Sequence, residues 1–289
     1  MDFSLSEEQL TLQQTARRFV QEQLIDVARN MEETDSAVPV DIRRRVLPAV
    51  CRGEAMVAVS MSEPQAGSTL TDLTTHADLR NDKIIRNGQK RWCSGGGHSD
   101  GYVVYCRMSD EPGAKGIGAV YVEKGTLGLS FGKREQLMGF RGVLSADIVF
   151  DNVELPLENQ IVPAGIFRQL MEAFDLERCE NSTTSLGLAV GALEYVVQRH
   201  QFGKPIIEFQ AVQMKLAQMA MRIEASRLLI YRAIANAGKG LPSMFESYVA
   251  KCFANEITRE VCGTALQLFS AYGYSKEFRM EQRFRDAWG

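Results

Sequence analysis

The sequence has no strong excess of either charge: 33 Lys and Arg residues oppose 36 Asp and Glu residues, which leaves a net charge of −3. This balance gives no electrostatic argument for binding to nucleic acid or to an anionic membrane. The sequence also has no apolar run long enough for a transmembrane helix, and no basic, apolar signal sequence at its start. We therefore expect a cytoplasmic protein that binds neither nucleic acid nor membrane.

Cysteine and histidine are few and scattered. The six cysteines contain no CxxC pair, and the three histidines lie far apart in the sequence. Metal sites in proteins are usually marked by closely spaced Cys and His ligands. The sequence therefore predicts free thiols, a reducing compartment and no metal site.

The hydrophobic pattern changes twice along the 289 residues. Apolar residues recur at helical spacing from about residue 6 to residue 31, and Ser6 with Gln9 is typical of a capping box. A short helical piece is expected up to about residue 51. From there to residue 156, short runs rich in Val, Ile, Tyr and Thr alternate with turn residues, which is typical of strands. Asn87-Gly88 is typical of a hairpin turn between two of these strands.

After the β-prone region, the period is helical to the end of the sequence. We predict long helices at about 167–198, 209–237 and 243–269, the last starting with a capping box at Ser243 and Glu246. Short connections favour an antiparallel bundle. The fold class predicted is therefore α+β, with N-terminal helices, a central antiparallel β-sandwich or barrel and a C-terminal antiparallel helical bundle. The expected domains are a helical region at 1–53, a β domain at 54–156 and the bundle at 157–289.

A segment from Met61 to Ser68 reads Met-Ser-Glu-Pro-Gln-Ala-Gly-Ser and follows an apolar, β-prone run. Pro64 and Gly67 favour a turn, and the hydroxyls of Ser62 and Ser68 lie on either side of it. Such a turn can bind a flat, polar, anionic cofactor through backbone amides and hydroxyl groups. The alternative is an ordinary turn at the end of a strand.

Two further segments carry uncommon residue combinations. Trp92 and Ser94 flank Cys93 on a predicted strand, so they are expected on one face of it. The alternative for Trp92 is a place in the core. Arg199 and Phe202 lie at the predicted end of a long helix, just before a Gly and a Pro that interrupt it.

In this order, Met61–Ser68, Lys90–Ser94 and Arg199–Gly203 resemble three signatures of the acyl-CoA dehydrogenase family. These are a Thr/Ser-Glu-Pro-x-Ala-Gly-Ser loop, a Trp-x-Thr/Ser strand and an Arg-x-x-Phe-Gly helix end. The resemblance extends from Asp2 to Asp286. It implies FAD as cofactor, bound between the β domain and the bundle and across a subunit interface, in a homodimer or homotetramer. It further implies an acyl-CoA substrate and an electron-transfer flavoprotein as the partner that receives electrons.

The resemblance also implies a role for each cofactor-binding position. Ser62 and Ser68 match residues at the flavin and its pyrophosphate, and Trp92 and Ser94 match residues at the flavin ring. Arg199 and Phe202 match a site that reaches the cofactor of a neighbouring subunit, where a guanidinium suits a pyrophosphate. Gln210 and Gln267 match family positions near the far end of the cofactor or near that subunit contact. For both glutamines, the alternative interpretation is a side-chain amide that is simply exposed on a helix.

The residues expected to act on the substrate lie in the segment Asp175-Leu176-Glu177-Arg178. In the family, a carboxylate removes the α-proton of the acyl thioester while hydride leaves the β-carbon for the flavin. Such a base needs a dry environment close to the substrate. Glu177 matches one of the two family positions for this base, and Asp175 and Arg178 match neighbours that orient it and line the thioester channel. The alternative is a set of ordinary ion pairs on a helix surface.

Two departures from the family pattern lead to alternative functions. A block of N-terminal helices normally precedes the Met61–Ser68 segment, and a glycine-rich loop and final helix normally follow the position of Asp286. The resemblance therefore implies a chain shortened at both places. A non-catalytic or partner-dependent relative remains open, and so does a flavin-dependent monooxygenase on the same fold.

Overall fold

The computed structural model describes residues 5–20, 22, 56–80 and 83–289. The described residues form two compact units. Those within 11–137 and 141–169 form the β unit, and those within 1–10, 138–140 and 170–289 form the helical unit.

Helix α1 spans Glu7–Phe19. The Ser6 hydroxyl accepts a hydrogen bond from the Gln9 amide at 3.3 Å, and the Gln9 side chain accepts one from the Ser6 amide at 2.9 Å. The predicted capping box is therefore confirmed. Apart from residues 20 and 22, the rest of the helix predicted to residue 31 lies outside the described residues, as does the helical piece expected up to residue 51.

One mixed sheet of eight strands forms the β unit, in the order β6-β7-β3-β2-β4-β5-β8, with β1 paired to β4. Its strands are β1 (Val57–Ser60), β2 (His76–Arg80), β3 (Lys83–Ser94), β4 (Gly101–Arg107), β5 (Ile117–Glu123), β6 (Leu129–Arg134), β7 (Ser145–Pro156) and β8 (Gln160–Val162). Most pairs are antiparallel, as predicted, but β1 runs parallel to β4 and β2 meets β4 in a single parallel bridge. The sheet also extends past residue 156, because β8 pairs with β5.

An apolar cluster of the β unit lies on one face of this sheet, and parts of the other face of β4 and β5 are buried as well. In β4, Tyr102, Val104 and Cys106 are all completely buried, as the two-residue period of a strand requires. Apolar residues from β1, β2, β3, β5 and β7 complete the same cluster. This shared core fixes the strands that carry the candidate site.

The hairpin predicted at Asn87-Gly88 is wrong. β3 runs through both residues, and the chain reverses between Arg80 and Lys83, which pair with each other. Gly88 lies instead at a shift in the register between β3 and β7, with φ 137°. A Cβ at Gly88 would lie 2.6 Å from Oγ1 of Thr75, so the glycine is needed for close approach and not for a turn.

Three long helices dominate the helical unit: α2 (Phe167–Val197), α3 (Gln210–Ala237) and α4 (Met244–Phe269). Two short helices follow, α5 (Ala271–Tyr274) and α6 (Met280–Asp286). The predicted long helices are confirmed to within one residue at each end, and the Ser243 hydroxyl accepts from the Glu246 amide as expected. Buried residues of α2, α3 and α4 form a large apolar cluster, and Ile230, Ala250 and Ala254 form a smaller one. Within the described ranges, no helix combines the length and apolarity needed to cross a lipid bilayer.

A buried ion pair joins Glu63 to Lys90 in the β unit. The Lys90 ammonium donates to the Glu63 carboxylate at 2.7 Å and to the Met61 carbonyl at 2.8 Å, and both charged side chains are almost fully buried. The same carboxylate accepts from the amides of Thr74 and Thr75 at 2.7 and 3.0 Å. Burial alone would raise the pKa of Glu63, but these hydrogen bonds and the Lys90 charge outweigh it and lower that pKa to about 2. Burial lowers the pKa of Lys90 to about 8 despite the carboxylate, so both groups are charged at pH 7.

A second cation, Arg86, is completely buried in the same unit. Its guanidinium carbon lies 4.1 Å from the centre of the Phe150 ring, while none of its three side-chain nitrogens has a hydrogen-bond partner. Burial lowers the pKa of Arg86, and the thiol of Cys106 and the carboxylate of Glu63 act in the opposite direction. The interior of the β unit thus holds two cations, and the Glu63 carboxylate acts favourably on both.

We predict that Glu63→Gln lowers the free energy of unfolding by about 3–5 kcal/mol, because it leaves Lys90 buried without a counter-charge. The matched control is Glu154→Gln, which breaks an exposed pair with Lys83 and should cost less than about 1 kcal/mol. Because the folded-state pKa of Glu63 is depressed, its contribution is complete above about pH 4.5 and is lost as pH falls toward 2. Chemical denaturation at several pH values measures both effects. Equal costs for the two variants would contradict the prediction.

We further predict that Gly88→Ala destabilises the protein by more than about 1 kcal/mol, because the added methyl group would overlap Thr75. Gly187, on an exposed part of α2, has open space around it. Gly187→Ala should therefore stabilise the protein by about 0.5–1 kcal/mol, as expected for alanine in a helix. Thermal unfolding of the two variants provides the comparison, and a stable Gly88→Ala protein would show that the strand can shift to make room.

Candidate functional site

The segment from Met61 to Ser68 forms a tight turn in the β unit. Glu63 and Ala66 exchange backbone hydrogen bonds of 3.0 and 3.2 Å, and a Cβ on Gly67 would meet no atom within 4 Å. Ser62 is half-buried and Ser68 is exposed. The turn therefore presents open backbone and at least one accessible hydroxyl, as a site for a polar ligand requires.

This turn is attached directly to β3. The Arg91 amide donates to the Ser62 carbonyl at 2.8 Å, and the Lys90 ammonium donates to the Met61 carbonyl. These bonds hold the turn beside the part of β3 that carries Trp92. The structure therefore brings Ser62 and Trp92, predicted from separate motifs, onto adjoining segments.

Trp92 is exposed to 51%, so it is not a core residue. It lies on a β-bulge: between the pairs Lys90–Ile148 and Cys93–Ala146, β3 has two residues where β7 has one. Trp92 itself has φ 59°, which is uncommon for a bulky residue and marks local strain. Bulges of this kind re-aim a side chain, often next to an active site. Ser94, two residues further on, is also exposed, while Cys93 between them is buried.

In the helical unit, Asp175 and Arg178 form a polar cluster with α4. The Asp175 carboxylate is buried and accepts from Arg178 at 3.0 Å and from the Ser247 hydroxyl at 2.9 Å. The Arg178 guanidinium also donates to the Tyr248 hydroxyl at 3.0 Å and lies 4.2 Å from the centre of that ring. The buried carboxylate therefore fixes the direction of Arg178, and Arg178 fixes Tyr248.

Glu177 is exposed on α2, between these two ordered neighbours. The position thus supplies an accessible carboxylate on a rigid helix. The chain leaves it in contact with water, whereas a base that removes an α-proton works best in a dry site.

Arg199 and Phe202 lie in the connection between α2 and α3. Arg199 donates to the Leu268 carbonyl at 2.6 Å, and its buried Nε has no hydrogen-bond partner. Phe202 lies at the tip of a small hairpin made by β9 (His200–Gln201) and β10 (Lys204–Pro205), where it is 85% exposed. Phe202 and Gly203 have φ of 54° and 75°, as a two-residue hairpin turn demands.

The two predicted glutamines lie on different helices. Gln210 is exposed at the start of α3, and Gln267 is exposed near the end of α4, where it accepts a hydrogen bond from Lys215. Within the described part of the chain, no group of three or more His, Cys, Asp or Glu side chains could hold a metal ion.

Sequence reasoning missed several residues that support these positions. Glu63 and Lys90 belong to the recognised motifs, but only the structure shows that they pair with each other. The sequence carries no local signal that singles out Arg91 beside Trp92, or Tyr248 among the other aromatic residues. For Lys90 the sequence did hold a signal. A lysine inside a predicted strand can be buried, and buried lysines are rare unless they are paired.

Two family models match the chain: the acyl-CoA dehydrogenase middle domain over residues 58–153 and the acyl-CoA dehydrogenase C-terminal domain over residues 167–288. The chain belongs to the acyl-CoA dehydrogenase family. The two matches cover the turn, the bulge, the Asp175–Arg178 segment and the hairpin at Phe202. Members of this family depend on FAD.

Among named relatives, the chain is 37% identical over 253 residues to the probable acyl-CoA dehydrogenase FadE25 of Mycobacterium tuberculosis, covering 86% of this chain and 65% of that protein. It is 34% identical to the caffeyl-CoA reductase-Etf complex subunit CarC of Acetobacterium woodii, covering 84% and 65%. Butyryl-CoA dehydrogenase from Megasphaera elsdenii has a similar structure, with a TM-score of 0.78, 34% identity and coverage of 87% and 67%. The chain thus spans 65% of the length of both curated relatives.

The described residues fit a flavin cofactor. Trp92 offers an exposed aromatic ring, which suits the flat isoalloxazine of FAD, and Ser68 and Ser94 are accessible to its polar groups.

Proposed function

We propose that this protein is an FAD-dependent oxidoreductase that introduces an α,β double bond into an acyl-CoA thioester. The observation that carries the proposal is the exposed indole of Trp92, displayed by a bulge in β3 and held beside the Met61–Ser68 turn. Residues held at strained backbone angles cluster at binding and active sites, and Trp92 combines such an angle with an accessible aromatic ring. Membership of the acyl-CoA dehydrogenase family gives that binding its chemistry.

In this proposal, FAD supplies the acceptor for the hydride that leaves the β-carbon of the substrate. Trp92 and Ser94 hold the isoalloxazine, and Ser62 and Ser68 hold the ring and the pyrophosphate. Glu177 takes the α-proton on its carboxylate as the Cα–H bond breaks. This transfer leaves the two electrons of that bond to form the double bond.

The residues of the helical unit position the substrate and a second cofactor contact. Asp175 orients Arg178, and both line the thioester channel next to Glu177. We propose that Arg199, Phe202, Gln210 and Gln267 contact the cofactor of a neighbouring copy in a homodimer or homotetramer. The exposure of Phe202 supports a role outside its own chain. The similarity to CarC, named as part of an Etf complex, supports an electron-transfer flavoprotein as the electron-accepting partner.

The purified full chain should be yellow, and it should release FAD on denaturation. Anaerobic addition of a panel of acyl-CoAs should bleach the flavin absorbance, because the oxidised cofactor accepts hydride from the substrate. A colourless protein that takes up no FAD on reconstitution would contradict the proposal.

Glu177→Gln should slow this bleaching by about 100-fold or more, because the amide cannot take the α-proton. Glu180→Gln, which changes another exposed carboxylate on the same helix, should bleach as the parent does. FAD content measured in both variants separates loss of the base from loss of the cofactor. Full bleaching in Glu177→Gln would remove Glu177 from the mechanism, and unchanged oxygen-dependent turnover would point to the monooxygenase instead.

A second candidate function rests on the exposure of Glu177. A base left in water favours a relative that binds FAD but is non-catalytic, or one whose site is completed by a partner. Flavin that is bound yet does not bleach with any acyl-CoA would identify this case.

A further inference from the structure

The side chain of Arg91 covers one face of the Trp92 indole. The guanidinium carbon lies 4.4 Å from the centre of the ring, within the range in which a cation is attracted to an aromatic face. Neighbours in a regular strand point to opposite faces. Here the bulge places both residues opposite Asp147 alone, and this irregularity lets the two side chains meet.

Two carboxylates hold Arg91 in this position. One nitrogen of its guanidinium lies 3.0 Å from Asp147 on β7, and another lies 3.3 Å from Glu135, which follows β6. The Gln89 amide donates to the same Asp147 oxygen at 3.0 Å, so the carboxylate is itself fixed. A planar guanidinium can bind two carboxylates and stack on a ring at the same time, which an ammonium cannot do.

We propose that Arg91 is a positioning residue for Trp92, and that Asp147 and Glu135 act through it. The guanidinium occupies one face of the indole and fixes its orientation, which leaves the other face for a flat aromatic ligand. The ligand assignment, the isoalloxazine of FAD, rests on the proposed function. The arrangement of Arg91, Trp92, Asp147 and Glu135 does not depend on the proposed function.

The chain allows a direct optical test, because Trp92 and Trp288 are its only tryptophans. In a Trp288→Phe background, the tryptophan fluorescence reports on Trp92 alone. The full chain is compared as Trp288→Phe, with Arg91→Met, Arg91→Lys or Lys83→Met added. Lys83→Met is the matched control, because it removes another salt-bridged cation from the same strand.

The first measurement uses protein freed of cofactor. Arg91→Met should lower the fluorescence anisotropy of Trp92 and increase its quenching by acrylamide, since the ring loses its cover and its restraint. Arg91→Lys should behave like Arg91→Met, because the ammonium lacks the planar fork. Lys83→Met should match the background protein. Unchanged anisotropy and quenching in Arg91→Met would overturn the inference.

The second measurement is the FAD dissociation constant, read from the quenching of Trp92 by the flavin. Arg91→Met should weaken binding about tenfold, a difference of about 1.4 kcal/mol, with the unfolding midpoint close to that of Lys83→Met. Parent-like affinity in Arg91→Met overturns the positioning role and leaves the proposed function intact. If the background protein binds no FAD, the proposed function and the ligand assignment fail, while the first measurement still decides whether Arg91 orients the indole.

Discussion

The ion pair between Glu63 and Lys90 is the interaction on which the candidate site depends. Its two members lie in the two recognised motifs of the β unit, the turn from Met61 to Ser68 and the strand that carries Trp92. Because both side chains are buried, neither can turn to water if the other moves away. The pair therefore adds a side-chain connection between the turn and β3 to the backbone hydrogen bond between them. The family motifs thus contain a structural pair as well as the proposed ligand contacts.

The bulge at Trp92 builds on this attachment. A non-glycine residue at φ 59° costs energy, and the surrounding strands must hold it there. Lys90 on one side and Cys93 on the other are both buried, so the backbone is fixed at each end of the bulge. Arg91 and Trp92 project between these anchors, one bound by two carboxylates and the other exposed. A rigid base with an accessible ring is what pre-organised binding of a flat cofactor requires.

The sequence predicted the parts of the fold that depend on local periodicity. The long helices α2, α3 and α4 were found to within a residue at each end, because their apolar spacing and caps are local properties. Asn87-Gly88 misled because its composition suits a hairpin, while the need for glycine comes from Thr75, which directly precedes the neighbouring strand β2. The parallel pairing of β1 with β4 likewise depends on residues 44 positions apart, such as Val57 and Gly101.

In the candidate site too, the sequence predicted local features but not those that depend on distant residues. Exposure of Trp92 and Ser94 around a buried Cys93 agrees with simple alternation, yet the bulge and the positive φ of Trp92 had no local signal. Asp175 and Arg178 could be read as a helical pair from their spacing, but Ser247 and Tyr248, which fix their orientation, come from another helix. Glu177 is exposed on a rigid helix, so its proposed role as a base depends on what would exclude water from its carboxylate. In the proposed reaction, a bound acyl-CoA would serve that purpose, because its apolar acyl chain would displace water from the carboxylate. Catalysis at this position would then be coupled to substrate binding, with the base becoming effective only in the complex.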